Sequence, residues 1–163
     1  MNKNNKKVLR IAMAAMIAAL YVTLTFIFAP ISFGNLQVRV SECLTILPLF
    51  TPAAVPGLFI GCILGNMLGG AILPDIIAGS IATLLGAVGT RMLRKTHPVL
   101  ATLPPVLTNM LIVPFVLRYG YGVTLPLWLM SITVGIGELI SCTVLGMILY
   151  RVFNRRKEIL ATC

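Results

Sequence analysis

The chain has 163 residues, of which 58% are hydrophobic and only 10% are charged. Soluble globular domains are about half apolar and about one-quarter charged, so this composition excludes a water-soluble domain with a polar exterior. The formal net charge of +9 does not indicate nucleic-acid binding, because the basic residues flank long apolar runs and form no basic and aromatic face. That distribution is typical of cytoplasmic loops in a multi-pass membrane protein.

The apolar runs predict an all-α integral membrane protein, a bundle of six transmembrane helices in a single domain. A helix needs about 20 apolar residues to cross the ~30 Å hydrocarbon core. In chain order, the predicted spans are 8–29, 41–51, 54–73, 75–93, 99–117 and 125–151. The first span follows a basic stretch, as in a signal peptide. It is longer than the apolar region of a signal peptide, and we expect it to be retained.

The second span is much shorter than the others. As an α-helix rising 1.5 Å per residue, residues 42–50 would cover only about 13 Å. Without a crossing here, however, the basic cluster at 91–95 would lie on the outer face, against the positive-inside rule. With this crossing, both termini are cytoplasmic, and all but Arg39 and Arg118 of the 13 basic residues lie on the cytoplasmic side.

An ordered external loop is expected after the first helix. Residues 36–41 alternate apolar and polar side chains, which is the period of an extended strand. Ser41 is a suitable N-cap for the short second helix.

Two stripes of small residues predict close helix packing. In the third span, glycine recurs every fourth residue, at Gly57, Gly61, Gly65 and Gly69. We expect this stripe to pack inside the bundle. In the first span, overlapping small-residue pairs are formed by Ala14, Ala15, Ala18 and Ala19. From the residues alone, this alanine face suits a neighbouring helix and a partner protein equally well.

Motifs for soluble chemistry are absent from the sequence. It has no Walker A loop, no HExxH and no GxSxG, and its single histidine, His97, lies in a basic loop. The four cysteines form no CxxC pair and are expected to be packing thiols. We therefore expect no metal, no cofactor and no catalytic residue. Active transport by this chain would need a separate ATP-hydrolysing motor.

Acidic residues at membrane depth carry most of the functional information. An ionisable side chain inside a membrane costs roughly 2.5–3.5 kcal/mol on insertion scales and marks a functional site by default. Glu138 lies inside the last span on a face of small and polar residues, so it points into the bundle. Two interpretations stay open for it: the floor of an outward cavity, or a structural pair with Arg39 or a backbone donor. Glu42 and Asp75 lie near the outer ends of helices.

Other polar and aromatic residues cluster on the same outer side. Asn66 and Asn109 are amides at membrane depth, suited to an interhelical hydrogen bond or to a ligand. Trp128 lies near the outer boundary, where it can belong to an aromatic belt or stack on a flat heterocycle. This sidedness favours one shared pocket that faces outward. Its predicted substrate-binding residues are Glu138, Asn66, Asn109, Gln37, Arg39, Glu42, Asp75 and Trp128.

Several segments resemble one known family of membrane proteins. The most specific is Gln37-Val38-Arg39-Val40-Ser41-Glu42 in the external loop. Further matching segments are Ala19-Leu20-Tyr21-Val22, Ile46-Leu47-Pro48, Gly61-Cys62 with Asn66, Ala82-Thr83-Leu84, Leu103-Pro104-Pro105 with Asn109, and Gly135-Ile136-Gly137-Glu138. Over nearly its whole length the chain resembles the QueT family of predicted queuosine-precursor transporters, which are substrate-binding S-components of energy-coupling factor (ECF) transporters.

The resemblance implies a six-helix substrate-capture subunit in a bacterial cell membrane. Its implied partners are a transmembrane coupling protein and two ATPase subunits. Ala14 and Ala18, or the pair one residue on, match the small-residue element with which such subunits dock on the coupling protein.

The implied cargo is a 7-deazaguanine taken up from outside, such as 7-cyano- or 7-aminomethyl-7-deazaguanine, or queuine. The adjacent N–H donors of such a base suit a carboxylate. Glu138 is the first choice for it, followed by Glu42 or Asp75. Three alternatives remain: an S-component for a different vitamin, such as a flavin or folate, a structural membrane subunit, and a small membrane-embedded enzyme that uses Glu138.

Overall fold

The computed structural model of the chain describes residues 3–29 and 38–155, and the regular structure in this part is helical throughout. This confirms the all-α prediction. The predicted ordered external loop falls largely on residues 30–37, and that part of it, including Gln37, lies outside the described residues.

The described residues form six helices. They are α1 (Lys3–Ile27), α2 (Val40–Leu49), α3 (Ala54–Leu68), α4 (Leu73–Met92), α5 (Pro98–Tyr119) and α6 (Leu127–Asn154). Helix α5 consists of a first turn, Pro98–Ala101, and a longer part that begins at Leu103. Helix α6 contains a π-helical segment, Leu139–Leu145.

Four of these helices, α1, α4, α5 and α6, are long and apolar enough to cross a membrane. Their composition is that of a membrane protein. Helices α2 and α3 are apolar but shorter, with 10 and 15 residues. Whether these two also cross stays a prediction.

Helix α2 is a 3-10 helix, which the sequence analysis did not predict. A 3-10 helix rises about 2.0 Å per residue, so its 10 residues cover about 20 Å, more than the α-helical expectation. Ser41 lies inside this helix and does not cap it; Arg39 precedes the first turn in extended geometry. At the other end, the Arg91 guanidinium donates to the Pro48 carbonyl oxygen at 2.9 Å.

Helix α3 ends at Leu68, earlier than the predicted span, because Gly70 adopts a positive φ of 76° that closes the helix. The glycine stripe of α3 packs on α1 as expected. A Cβ atom added at Gly57 would lie 2.7 Å from the Ala14 carbonyl oxygen, and one at Gly61 would lie 2.8 Å from the Tyr21 Cβ. The two backbones can approach this closely only without side chains on α3.

Helix α2 lies at the centre of the bundle. Helices α1, α3, α4, α5 and α6 pack on one another in chain order, and α2 contacts α1, α3, α4 and the second half of α6. The apolar core around it includes Tyr21, Leu44 and Leu58, all buried. The helix with the least usual geometry therefore packs against four of the other five, and Glu42 lies in its first turn.

Candidate functional site

Two groups of buried polar side chains lie inside the bundle. We call the first the outer ion pair, which consists of Arg39 and Asp75. We call the second the central cluster; it consists of Tyr21, Glu42, Thr83, Asn109, Glu138, Ser141 and Cys142, all at most 2% exposed. Thr83 follows Asp75 by eight residues on α4, so the two groups lie about 12 Å apart along that helix.

The outer ion pair joins the segment before α2 to the first turn of α4. The Arg39 Nη2 atom lies 3.3 Å from the Asp75 Oδ1 atom, and both side chains are almost fully buried. A Cβ atom added at Gly79 would lie 3.4 Å from the Arg39 Nη1 atom and 3.3 Å from the Asn66 amide nitrogen. The absence of a side chain at Gly79 therefore leaves room for the guanidinium and for Asn66.

Tyr121 also contacts Asp75. Its hydroxyl donates to the Asp75 Oδ2 atom at 3.0 Å and accepts from the Ile72 N–H at 3.4 Å. Burial and the nearby Asp75 carboxylate raise the pKa of Tyr121, which keeps its hydroxyl protonated as a donor. Asp75 thus receives hydrogen bonds from Arg39 and from Tyr121.

Glu42 is held by hydroxyl donors from two other helices. Tyr21 on α1 donates to its Oε1 atom at 2.6 Å, and Thr83 on α4 donates to the same atom at 2.9 Å. Both donors use one oxygen, and the Oε2 atom is left without a hydrogen-bond partner. Glu42 is 0% exposed.

Glu138 faces Glu42 from α6. It is the last α-helical residue before the π segment, and the Cys142 thiol within that segment donates to its Oε2 atom at 3.3 Å. Ligand atoms of Glu42, Glu138 and Cys142 lie within 4.8 Å of one another. A π segment widens a helix by one residue per turn and is frequently found at functional sites.

Unsatisfied polar atoms are unusually frequent here. Native structures pair more than nine-tenths of buried polar groups, and an unpaired one costs roughly 1–3 kcal/mol. In the two groups the buried atoms without a hydrogen-bond partner are Arg39 Nη1, Glu42 Oε2, both polar atoms of the Asn109 side chain, and Ser141 Oγ. Asn109 lies against Glu138 without completing a hydrogen bond to it. These atoms are therefore available to form hydrogen bonds with a polar molecule.

The structure brings together most of the residues predicted from sequence. Glu42, Glu138 and Asn109 meet in the central cluster. Arg39, Asp75 and Asn66 meet at the outer ion pair. The structural alternative of a Glu138–Arg39 pair does not form, because Arg39 pairs with Asp75.

Two predicted residues do not join these groups in the structure. Trp128 is 64% exposed, a placement that suits an aromatic belt and does not support the prediction that it binds substrate. Gln37 lies outside the described residues. Sequence reasoning missed Tyr21 and Thr83 as site residues; the available signal was a hydroxyl group inside each of two long apolar spans.

The alanines of α1 divide between two surfaces. Ala18 is buried against Gly61, and Ala14, which is half-buried, contacts Gly57. Ala15 and Ala19 are exposed. Ala14, Ala15 and Ala18 also line an apolar groove of about 530 Å³, formed by α1 together with the turn that leads into α3, including Pro52 and Pro56.

Comparison with known proteins assigns the chain to a family. The sequence model of the QueT transporter family matches residues 11–155. The chain belongs to the QueT transporter family. A curated relative, the queuosine precursor transporter QueT of Lactococcus lactis subsp. cremoris, is 38% identical over 73 residues, which are 44% of this chain and 43% of that relative. No solved structure matches.

The QueT family is a family of transporters and not of enzymes. Family membership therefore does not support the membrane-embedded enzyme that sequence analysis left open. The long apolar helices agree with a membrane location.

Proposed function

We propose that this QueT-family protein is the substrate-capture subunit of an ECF-type importer and binds a queuosine precursor, a 7-deazaguanine. The family and the name of the Lactococcus relative support the cargo class. The sequence contains no recognisable nucleotide-binding motif. Energy for uptake would therefore come from a separate coupling protein and two ATPase subunits.

In the proposed membrane arrangement all six helices cross the bilayer of a bacterial cell, with both termini in the cytoplasm. The 3-10 geometry supports a crossing by α2, since about 20 Å of helix is extended by the following turn through residues 50–53. Helix α3 covers about 22 Å at 1.5 Å per residue. In this arrangement the outer ion pair faces the exterior, and the central cluster lies below it.

The observation that carries the proposal is the unpaired set of buried polar atoms in the central cluster. A guanine-type ring has two adjacent N–H donors on one edge and a carbonyl acceptor beside them. We assign Glu138 to the two donors and the Asn109 amide to the carbonyl. Arg39 orients Asp75 and does not contact the neutral ring.

These groups are nearly fully buried, so a flat base can reach them only when the helices around the cluster move apart. Substrate binding would then satisfy the atoms that are unpaired in the closed bundle. The assignment therefore predicts that the ligand stabilises the protein strongly, since it binds the folded state alone.

We further propose that the coupling protein docks on the exposed face of α1. Ala15 and Ala19 are exposed on this face, and Ala14 and Ala18, which pack on α3, also line the adjacent groove together with Ala15. The adjacent apolar groove could accommodate large side chains from a partner helix.

The direct test is equilibrium binding of 7-cyano- and 7-aminomethyl-7-deazaguanine to the detergent-purified chain alone. Guanine and riboflavin serve as controls. Tight binding of a deazaguanine without any partner supports a capture subunit and its cargo class. Binding of riboflavin alone, or of no ligand by a monodisperse protein, would overturn the proposed cargo.

A further inference from the structure

Helix α6 is longer than the hydrocarbon core of a bilayer is thick. It has 28 residues, about 42 Å at 1.5 Å per residue, and the hydrocarbon core is about 30 Å thick. One face of its second end packs on the segment after α2. The ring centroid of Phe50 lies 5.5 Å from that of Tyr150 and 6.2 Å from that of Phe153. This end of α6 is therefore anchored to the bundle on one face.

Another face of the same end carries two arginines without a counter-charge. Arg151 and Arg155 are exposed and lie about one helical turn apart, so their side chains are neighbours. Among the residues that the structure describes, neither guanidinium has a hydrogen bond or an ion pair. Like charges at this spacing repel each other, and an anion bound between them would relieve the repulsion.

Aliphatic side chains lie beside the two guanidinium groups. Ile148 is 55% exposed and Val152 is 58% exposed. Together with Arg151 and Arg155 they line a groove of about 380 Å³. The groove thus combines an apolar wall with two cations, which suits the boundary between the acyl chains and the headgroups of phospholipids.

The position of this groove along α6 matches the depth of the lipid phosphates. Trp128 is exposed near the other end of the helix, where an aromatic belt marks the hydrocarbon boundary. Ile148 follows it by 20 residues, about 30 Å, and thus lies at the opposite boundary. Arg151 lies about 5 Å further along, in the headgroup layer. Arg155 lies about 10 Å beyond the boundary, but helical side chains tilt toward the N-terminus, so its long side chain can reach back.

We propose that Arg151 and Arg155 bind the phosphate of an anionic phospholipid, whose acyl chain lies along Ile148 and Val152. A guanidinium can donate two parallel N–H bonds to phosphate oxygens, and two such cations favour a lipid with a net negative charge. Phosphatidylcholine has the same phosphate, but its choline group is a cation, which the arginines repel. This inference goes beyond the proposed function, because it requires α6 to cross the bilayer and does not depend on the cargo.

The test measures which lipid the protein retains. The detergent-purified full chain is mixed with equal amounts of dioleoylphosphatidylglycerol and dioleoylphosphatidylcholine, which differ in headgroup alone, and native mass spectrometry counts the bound lipids. We expect the wild-type protein to retain phosphatidylglycerol about 10- to 30-fold more than phosphatidylcholine, from the attraction of two basic side chains for an anionic lipid. An excess of inorganic phosphate should not displace the lipid, because free phosphate has no acyl chain to cover the apolar wall.

Removal of the two arginines tests the groove itself. In the variant that combines Arg151→Gln with Arg155→Gln, the preference for phosphatidylglycerol should fall at least about tenfold. The matched control combines Arg94→Gln with Lys95→Gln, which removes two charges from an exposed segment after α4. The control should change the preference less than about twofold, because these two residues lie outside the groove.

Four results would overturn the inference. Equal retention of the two lipids by the wild-type protein would show that the groove does not select a charge. An equal fall in both double variants would assign the preference to the overall positive charge. Displacement of phosphatidylglycerol by inorganic phosphate would assign the arginines to a free anion. Undiminished lipid retention by the arginine variant, with loss of co-purification with the coupling protein, would assign this face to that protein.

A single replacement covers the case in which the double arginine variant does not fold. Arg155→Gln changes an exposed residue just after the end of α6. The preference for phosphatidylglycerol should then fall at least about threefold, and a smaller fall would overturn the inference.

Discussion

Glu138 lies at the point where α6 changes from α to π geometry, facing an amide that has no hydrogen-bond partner. The π segment sets the position of Cys142, whose thiol occupies one oxygen of Glu138. A thiol is a weak donor, so a ligand N–H group can displace it at little cost. Glu138 is thus polar and buried, and its hydrogen bond from the Cys142 thiol is weak. A carboxylate that binds a ligand needs oxygens that are held this weakly.

Replacement of this residue tests its role. Glu138→Gln should weaken deazaguanine binding about 10- to 100-fold, because an amide presents one acceptor where the base needs two. Titration of detergent-purified protein measures the change. Thr133→Val on the same helix is the control, since its hydroxyl bonds only the Met130 carbonyl oxygen. Unchanged affinity in Glu138→Gln would remove this residue from the site.

The outer ion pair makes a different prediction, about stability. Asp75→Asn leaves the Arg39 guanidinium buried without its counter-charge, which should cost about 3–5 kcal/mol. The double replacement Arg39→Met with Asp75→Leu removes both charges and should recover much of that loss. Thermal unfolding in detergent measures both variants. Equal melting temperatures for the single variant and the wild type would show that the pair contributes no stability.

At the scale of the helices, the close contact of α3 with α1 depends on glycine, which has no side chain, at the contacting positions of α3. Gly61→Ala adds a Cβ 2.8 Å from the Tyr21 Cβ and 3.1 Å from the Ala18 Cα, so the two helices must separate. We expect a destabilisation of about 1–3 kcal/mol. Gly146→Ala adds the same methyl group at 3.6 Å from the Cys43 carbonyl oxygen, an ordinary contact, and should be tolerated. Equal losses of melting temperature for the two variants in a thermal-shift assay would contradict this account.

If the exposed face of α1 is the docking surface, changes on it should weaken docking on the coupling protein without weakening ligand binding. Leucine at both Ala15 and Ala19 fills the proposed docking face without touching the bundle interior. The isolated subunit should retain its ligand affinity, while co-purification with the coupling protein should fall at least about tenfold through steric exclusion. Val88→Leu enlarges an exposed residue on α4 and should affect neither property. Undiminished co-purification of the variant with leucine at positions 15 and 19 would place the docking surface elsewhere.

At the scale of the whole molecule, the six-span arrangement assigns a side of the membrane to each loop. Thr96 and Thr124 are both exposed, in the loops after α4 and after α5. With a membrane-impermeant maleimide, Thr124→Cys should react in intact cells, and Thr96→Cys should react only after permeabilisation. Wild-type cells give the background from native cysteines. Labelling of Thr96→Cys in intact cells would contradict a cytoplasmic N-terminus followed by four crossings.

Much of the architecture was predictable because it depends on composition and on local period. The α-helical class, the long apolar helices and the internal glycine stripe follow from run lengths and from four-residue spacing. The burial of Glu138 followed from the small and polar residues on its own helical face. Helix ends were less predictable, because a glycine in a left-handed conformation, as at Gly70, ended α3 before its apolar run did.

The sequence by itself determined that this is a helical membrane protein with ionisable groups inside its bundle, since hydrophobicity and the cost of buried charge are properties of each segment. Only the tertiary structure decided that Arg39 pairs with Asp75, 36 positions away, and that Tyr21 and Thr83 orient Glu42. It also decided the 3-10 form of α2 and the exposed position of Trp128. Such pairings join helices distant in the chain, and they depend on how the whole bundle packs around its central helix.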